Sequence, residues 1–384
     1  MDLVIPKKDL LRLVDRCQGV ADKKSAMPAL ANILLSAEGN TLRVAATDLY
    51  LAVSGQTHAE VSTPGSVAVP AKDLRERVFN MPDGPIQIAS TEGAQTTLRA
   101  VGAQRRYTLH GIPGSEFPQL PKPAADAPSL ELPIDLLTLL MSRTYFSISS
   151  DETRPHVNSG LFEWAGDRVR LVSTDGHRLS KMEATATGTS ATATMLIPLK
   201  AITELRRLAG DAKGDKGDKG DKGDNPTAIT ITQSGPNAFF GIAGMQFSVK
   251  LVDAQFPPYQ QVIPALSERS VRANRSALYD ALKAVSVAAS DRTGGVKLSI
   301  APNKLRITSE SPESGNGFDE LDVDYNGPEI TIGFNAKYFQ DVLSAIDEEE
   351  VVLGISGELD PAVIRPGSES SEQSYIAVVM PMRI

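Results

Sequence analysis

Ser173-Thr174-Asp175-Gly176-His177-Arg178-Leu179-Ser180 gives the clearest structural signal in the chain, because a turn pattern follows a strand pattern there. Residues 168–172 read Arg-Val-Arg-Leu-Val, and this alternation of charged and apolar residues is typical of a half-buried strand. The Asp-Gly pair predicts a tight turn, since Gly accepts a positive φ and Asp can hydrogen-bond its own backbone. The stretch therefore predicts a strand that ends in a tight turn.

Two weaker copies of this strand-and-turn unit occur elsewhere in the chain. Residues 42–51 keep the strand pattern and place Thr47-Asp48 where the first stretch has Thr174-Asp175. Residues 305–309 keep the strand pattern without the turn, and only the middle copy carries Gly-His-Arg. We infer that one unit occurs three times.

The spacing of matching residues supports a repeat of domain size. Asp48 and Asp175 are 127 positions apart, and Lys72 and Lys200 are 128 apart. This period far exceeds the roughly 20 to 50 residues of solenoid repeats. Each copy is therefore predicted to be a domain with two helices and about eight short strands.

An insertion in the middle copy explains the one spacing that is too long. Lys200 and Lys337 are 137 positions apart, but residues 213–224 are four tandem Lys-Gly-Asp units. Without these 12 residues the spacing falls to 125. The insertion is charge-balanced and has nothing apolar to bury, so we predict a flexible surface loop.

The repeat divides the chain into three predicted domains: residues 1–126, residues 127–266 with the insertion, and residues 267–384. Six helices are expected, two per domain. They are predicted at residues 7–18, at 71–79, after Pro133, from Leu199, at 276–289 and at 336–346. Doubling the chain would give six such units, and closed symmetric assemblies are the common outcome for oligomers.

Composition excludes several classes of protein. No apolar run approaches the roughly 18 to 20 residues of a membrane span, and residues 1–6 do not read as a signal peptide. A single cysteine, Cys17, permits no internal disulfide and argues against a zinc cluster, which fits a reducing cytosol.

The net charge of −8 argues against nucleic-acid binding unless the positive charges are concentrated on one surface of the protein. Such sorting is visible at residues 7–24, which carry six positive and three negative residues.

Taken together, the repeat and three motifs resemble the bacterial DNA sliding clamps, the beta subunits of the replicative DNA polymerase III holoenzyme. The motifs are Thr174 to Leu179, Lys250-Leu251-Val252-Asp253 with Phe256-Pro257, and Val379-Met380-Pro381-Met382-Arg383. The resemblance covers essentially the whole chain apart from the insertion.

The resemblance implies an α+β fold of three DNA-clamp domains, each with two inner helices and outer antiparallel sheets. Two chains would pair head to tail as a six-domain ring around duplex DNA, without reading its sequence. The protein would be a processivity factor and not an enzyme, with no cofactor and no metal. Its clients would be the replicative polymerase, the clamp loader and repair or translesion factors, which carry short Gln-Leu-x-Leu-Phe-like peptides. We expect it in the cytoplasm, at the nucleoid during replication, and not at a membrane.

The resemblance also implies three sets of site residues, transferred position by position. The client-peptide pocket between the second and third domains would comprise Val157, Thr174, Gly176, His177, Arg178, Leu179, Pro257, Val262, Val378, Val379, Met380, Pro381, Met382 and Arg383. DNA would meet Lys24, Lys72, Arg154, His156 and Lys200, where Pro155 and His156 depart from the aromatic residues that relatives can carry. The dimer contact would involve Tyr107, Leu109, Val287 and Ala288.

Two other hypotheses compete with the clamp. An enzyme could use Asp175 and His177 as a catalytic or metal-binding pair, since His is the usual general base. However, the chain has four histidines, and none is accompanied by a second metal-ligand motif, a Ser elbow or a Gly-rich phosphate loop. A three-domain scaffold or adhesion protein without a DNA role is the other hypothesis, and the basic helices count against it.

Overall fold

The structure, a computed structural model, describes residues 1–22, 24–186, 192–214, 228–264, 269–289, 294–312, 315–368 and 370–383. The chain packs as two compact units. The first consists of Met1–Ile134 and Thr203–Leu251, and the second of Asp135–Ile202 and Val252–Ile384. The middle predicted repeat contributes to both units, so the domain boundaries near residues 126 and 266 stay predictions.

Six α-helices lie in the described residues, two in each predicted repeat. They are α1 (Lys7–Gln18), α2 (Ala71–Phe79), α3 (Ile134–Ser142), α4 (Leu199–Gly214), α5 (Arg275–Ser286) and α6 (Ala336–Ala345). The first helix buries Leu10, Val14 and Cys17, the face that their i, i+4, i+7 spacing predicted. Burial raises the pKa of the Cys17 thiol to about 12, so this thiol stays protonated.

The end of one predicted helix and the start of the predicted loop need correction. We expected α5 to reach Ala289, but it ends at Ser286. The N–H groups of Val287, Ala288 and Ala289 bond three residues back instead of four, which tightens the chain into a turn. Helix α4 continues to Gly214, so the first two residues of the insertion are helical. The rest of the predicted loop lies outside the described residues.

Twenty-six strands lie in the described residues. They are β1 (Asp2–Pro6), β2 (Asn32–Glu38), β3 (Thr41–Thr47), β4 (Leu51–His58), β5 (Glu60–Thr63), β6 (Gly65–Pro70), β7 (Pro85–Ser90), β8 (Gln95–Ala100), β9 (Arg106–His110), β10 (Ile112–Pro113), β11 (Ser129–Pro133), β12 (Ser159–Ala165), β13 (Arg168–Thr174), β14 (Arg178–Thr185), β15 (Thr192–Pro198), β16 (Ala228–Ser234), β17 (Asn237–Ile242), β18 (Met245–Lys250), β19 (Ser270–Asn274), β20 (Gly295–Ala301), β21 (Lys304–Ser311), β22 (Gly315–Asp322), β23 (Ile330–Asn335), β24 (Glu350–Gly354), β25 (Ala362–Pro366) and β26 (Gln373–Val379). The predicted repeats thus hold ten, eight and eight strands, close to the expected eight.

Each unit contains two antiparallel sheets. In the first unit, one sheet has the order β5-β1-β7-β8-β9 and the other the order β10-β6-β2-β3-β4-β18-β17-β16-β11. In the second unit, the orders are β15-β12-β13-β14-β26-β25-β24-β19 and β22-β21-β20-β23. The pairs β4–β18 and β14–β26 occupy matching places, because each joins a strand of one repeat to the last strand of the next.

The turn between β13 and β14 is held by the side chains of its first two residues. The Thr174 hydroxyl accepts from the Gly176 N–H at 3.1 Å and donates to the Arg178 carbonyl at 2.7 Å. The Asp175 carboxylate accepts from the N–H groups of His177 and Arg178 at 2.9 and 3.0 Å. These bonds confirm the predicted turn and explain why it needs Thr and Asp.

The turn between β3 and β4 repeats this network. The Thr47 hydroxyl accepts from Leu49 at 3.0 Å and donates to the Leu51 carbonyl at 2.8 Å. The Asp48 carboxylate accepts from Tyr50 and Leu51 at 2.9 and 2.6 Å. Leu49, with φ +76°, takes the place that Gly176 fills in the other turn. The proposed internal repeat is therefore present at the level of single hydrogen bonds.

A pair of glycine substitutions tests how much the turn conformation contributes. Gly176 has φ +94° and no neighbour within 4 Å of an added Cβ, so Gly176→Ala should cost about 1 kcal/mol through backbone strain alone. Gly210 in α4 has equally open surroundings and no positive φ, so Gly210→Ala should stabilise by about 0.5–1 kcal/mol. Urea denaturation of both variants measures the two changes. Equal effects of the same sign would show that turn strain is not the cause.

Candidate functional site

One face of the eight-stranded sheet carries an apolar patch formed by neighbouring strands. Leu161 pairs with Val172 across β12 and β13, and Leu179 pairs with Thr174 on one side and with Val378 on the other. Directly paired residues point to the same face, and so do residues two apart on one strand. All five side chains are buried. The patch thus joins the turn motif to the C-terminal strand.

Residues 252–263 cover this patch. Phe256 and Tyr259 pack onto it with their rings 6.3 Å apart in an edge-on arrangement. The Tyr259 hydroxyl donates to Glu163 at 3.0 Å and accepts from Arg170 at 3.2 Å, which fixes the covering segment to β12 and β13. Burial raises the pKa of the Tyr259 hydroxyl, so it remains a donor at neutral pH.

Under the covering segment the patch leaves a cavity of about 340 Å³. This volume lies at the lower end of the roughly 300–1,000 Å³ of small-ligand sites. Of the predicted peptide-binding residues, Pro257 lines it. Sequence reasoning missed the apolar lining from β12, β15 and the covering segment, although strand alternation could have indicated its strand members. These residues are Leu161, Leu196, Val252, Phe256 and Tyr259.

The C-terminal segment lies beside the turn. The Met380 N–H donates to the His177 carbonyl at 2.9 Å, and the Met382 N–H donates to the Gly333 carbonyl at 2.9 Å. These bonds hold Met380 next to the Gly176-His177 turn with its side chain 38% exposed. Val262, in the covering segment, is exposed as well. The flexible Met380 side chain and the exposed Val262, near a buried apolar patch, suit the docking of apolar peptide side chains.

Arg178 has a different environment from its neighbour Leu179. Its guanidinium pairs with Asp175 at 3.0 Å and with Asp341 at 2.6 Å. It also donates to the Phe146 carbonyl at 2.5 Å. Strand alternation places Arg178 and its cross-strand partner Val379 on the face opposite Leu179. The side chain therefore braces the turn from the opposite face of the sheet.

The predicted peptide-binding residues sort by exposure into a buried floor and an accessible rim. The floor consists of Thr174, Leu179 and Val378, which belong to the apolar patch. Val157 and Val379 are buried as well, but Val379 lies on the opposite face of the sheet with Arg178. The half-buried residues are Arg178, Pro257, Pro381 and Met382, and the exposed ones, which form the rim, are Gly176, His177, Val262, Met380 and Arg383.

The predicted DNA-binding residues are mostly exposed. Lys24, Lys72 and Lys200 lie at the surface, and Lys72 is 3.6 Å from Glu76 one turn along α2. Arg154 is exposed but paired with Asp151 at 2.8 Å, which offsets its charge, and His156 is half-buried. Four of the five predicted residues are therefore exposed, as contact with phosphate requires.

The predicted dimer residues lie at two sheet edges or beside them. Tyr107 and Leu109 are on β9, the last strand of its sheet, but Leu109 is buried within its own chain. Val287 is 80% exposed just after α5, which packs against the edge strand β22. Sequence reasoning missed Phe318 on β22, whose side chain is 65% exposed. An edge strand offers unpaired backbone groups to a partner strand, and an exposed aromatic ring on such a strand adds apolar surface. The sequence pattern alone did not indicate this feature.

The Asp175 and His177 side chains have structural partners. Asp175 uses one oxygen for the turn and the other for Arg178. The His177 ring stacks on Tyr338 with centroids 6.3 Å apart and planes 15° apart. In the part of the chain that the structure describes, no group of three or more His, Cys, Asp or Glu could hold a metal ion. None of the described helices has both the length and the apolar character for crossing a membrane.

Three domain families match the chain in succession. They are the N-terminal domain of the DNA polymerase III beta subunit over residues 1–121, its central domain over 131–258 and its C-terminal domain over 260–383. Together these matches span nearly the whole sequence.

Whole-chain comparisons find similar proteins of the same kind. The "Beta sliding clamp" of Caulobacter vibrioides is 30% identical over 392 residues, and that of Escherichia coli K12 is 29% identical over 385, each with full coverage of both chains. Among solved structures, the DNA polymerase III subunit beta of Pseudomonas aeruginosa is 28% identical, with a TM-score of 0.91 and full coverage of both chains. A sliding clamp from Bartonella birtlesii bound to griselimycin is 29% identical, with a TM-score of 0.90 and the same coverage.

Proposed function

Because the chain belongs to the DNA polymerase III beta subunit family, the beta sliding clamps, we propose that it forms a homodimeric ring that slides on duplex DNA. Members of this family are non-catalytic accessory subunits of the polymerase. In the proposal, a peptide-binding surface on the second unit tethers the polymerase, the clamp loader and repair or translesion factors. The protein works in the cytoplasm, at the nucleoid during replication. The observation that carries the proposal is the succession of three beta-subunit domains along one chain.

The proposed peptide site is the rim and floor around the turn motif, together with the neighbouring cavity. A client of the Gln-Leu-x-Leu-Phe type would place its Leu and Phe side chains against the apolar floor. Burying two such side chains contributes about 3 to 6 kcal/mol before ordering costs, so one site binds only modestly. Modest affinity suits a surface that several clients share. Arg178 has a positioning role in this proposal, because its partners hold the turn from the other face.

The proposed DNA contact is electrostatic and independent of sequence. Exposed lysines can approach phosphates without reading bases, which allows a clamp to slide. Lys24, Lys72, Lys200 and Arg154 are the exposed candidates. Two of them have a carboxylate partner in their own chain, Lys72 with Glu76 at 3.6 Å and Arg154 more closely with Asp151 at 2.8 Å. His156 adds a polar contact at the same place. The barrier to dissociation in this proposal is the closed ring itself.

Removing two of the lysines should flatten the salt dependence of DNA binding. For Lys72→Ala combined with Lys200→Ala, the slope of log K against log salt should fall by about 1.8, since each phosphate contact contributes roughly 0.9. Fluorescence anisotropy with two unrelated duplexes measures the slope and should give the same change for both. The control combines Lys122→Ala with Lys250→Ala, which removes the same charge from other exposed sites. A similar change in the control would contradict the assignment.

The proposed dimer pairs two sheet edges from different chains. Strands β9 and β22 each end a sheet, and such edges offer unpaired backbone groups to a partner strand. Tyr107 and Leu109 belong to β9, while Val287 and Ala288 follow the helix that packs on β22. The exposed Phe318 on β22 adds apolar area for a partner to cover.

Topology distinguishes this function from a scaffold or adhesion role without DNA. The chain is loaded by a clamp loader onto nicked circular DNA, which is then cut once. A ring should remain on the circle and leave the linear form through its ends. A scaffold protein without a DNA role would show the same amount of bound protein before and after the DNA is cut, and that result would overturn the proposal.

A further inference from the structure

The sulfur-containing side chains of this protein differ in exposure, and two of the accessible ones lie in the proposed client site. Of the nine methionines, Met27 and Met380 are exposed, at 45% and 38%, while Met1 and Met382 are half-buried. The remaining five are buried: Met81, Met141, Met182, Met195 and Met245. A reagent that attacks sulfur from solvent therefore reaches Met380 and Met382 before the methionines of the core.

The single cysteine does not compete for such a reagent. Cys17 is 0% exposed, and its Sγ donates to the Val44 carbonyl at 3.7 Å. Burial raises the pKa of this thiol to about 12, so the thiolate, which is the reactive form, is not populated at neutral pH. The accessible sulfur chemistry of the folded protein is therefore that of the methionine thioethers.

Backbone hydrogen bonds fix the positions of Met380 and Met382 at the client site. Their N–H groups donate to the His177 and Gly333 carbonyls, and Pro381 between them restricts the backbone. Because these bonds involve no side-chain atom, a chemical change at either sulfur should leave the segment beside the turn. Such a change would therefore alter the surface that a client contacts without unfolding the site.

Oxidation of these thioethers would make the client surface polar. The sulfur attacks one oxygen of hydrogen peroxide, the O–O bond breaks, and the transferred oxygen passes its proton to the other oxygen, which leaves as water. Sulfur loses two electrons and becomes a sulfoxide. A client's Leu or Phe side chain that covered this oxygen would remove it from water without supplying a donor. We propose that hydrogen peroxide switches off client binding by oxidising Met380 and Met382, an inference that rests on the proposed client site.

This switch is reversible, because methionine sulfoxide reductases return a sulfoxide to a thioether. In that reaction the sulfoxide oxygen leaves as water, and two thiols supply the electrons and become a disulfide. The exposure of Met380 lets such an enzyme reach it. Leucine at the same positions would be apolar but inert to peroxide, so methionine supplies both an adaptable shape and sensitivity to oxidation.

Treatment of the full-length protein with hydrogen peroxide tests the proposal. The affinity for a labelled Gln-Leu-x-Leu-Phe peptide, measured by anisotropy, should fall about tenfold or more, because a buried sulfoxide oxygen has no donor. Peptide mapping by mass spectrometry should place added oxygen on Met380 and Met382 as well as on Met27. Two methionine sulfoxide reductases, one for each sulfoxide epimer, should restore the affinity in the presence of thiol.

Two leucine variants separate the client site from the other exposed methionine. Met380→Leu combined with Met382→Leu should show the same peptide affinity with and without peroxide, whatever that affinity is. Met27→Leu is the matched control, because Met27 is at least as exposed as Met380 but lies in the first unit. This control should still lose about tenfold in affinity on treatment.

Unchanged affinity after both methionines are oxidised, an equal loss in the double leucine variant, or a loss that the reductases do not restore would each reject the switch. Circular dichroism establishes whether the double variant is folded. If it is not, a time course decides, because the loss of affinity must follow oxidation of Met380 or Met382 and not that of Met27. A peptide that does not bind the untreated protein would instead refute the client site itself, and this inference with it.

Discussion

Deleting residues 380–384 should reduce polymerase processivity to the level measured without the protein. Strand β26 ends at Val379, so the deletion leaves the sheet intact. It removes the Met380 and Met382 contacts beside the turn, and with them the apolar rim that a client would bury. Primer extension on singly primed circular DNA, with clamp loader present, measures the loss as product length. Native mass spectrometry should still find two associated chains.

A point substitution gives a sharper version of this test. Met380→Asp places a charge where a client's apolar side chain would bind, and the unpaired charge should weaken a client peptide by at least about tenfold. Met27→Asp is the matched control, because Met27 in the first unit is 45% exposed against 38% for Met380. Peptide affinity is measured by anisotropy with a labelled Gln-Leu-x-Leu-Phe peptide. Full processivity after the deletion, or equal effects of the two substitutions, would show that clients dock elsewhere.

Phe318→Arg should convert the dimer into single chains at micromolar concentration. The ring is 65% exposed on an edge strand, and covering it in a dimer contributes about 1.5–3 kcal/mol. Replacing it with a charge removes this gain and adds a desolvation cost, so the dimer should weaken by about a hundredfold or more. Sedimentation equilibrium measures the dissociation constant. Loading onto circular DNA should fail in parallel, since one chain cannot close a ring.

Leu359→Arg is the control for this substitution. Leu359 belongs to the same unit and is 70% exposed, but it lies in the loop between β24 and β25, two strands of the other sheet in this unit. The same change of size and charge should leave association unaltered there. A dimer that survives Phe318→Arg, or one that dissociates equally in Leu359→Arg, would contradict the proposed interface.

Local features of this protein could be predicted from its sequence because they depend on neighbouring residues. Helices α1 and α2 begin and end at the predicted residues, since their apolar periodicity is complete within each segment. The turn at Thr174-Asp175 and its copy at Thr47-Asp48 were predicted for the same reason, as their hydrogen bonds span at most four residues. The resemblance to sliding clamps rested on such local motifs repeated at one spacing.

The tertiary structure decided which side chains share a surface. The pairing of β14 with β26 brings Leu179 to Val378 on one face and leaves Arg178 on the other, so adjacent residues of one motif have different roles. Arg143 likewise lies over the ring of Tyr375, more than 200 positions further along the chain. Neither arrangement leaves a periodic signal in the sequence. Both depend on strand register and long-range packing, which are fixed only when the distant strands pair.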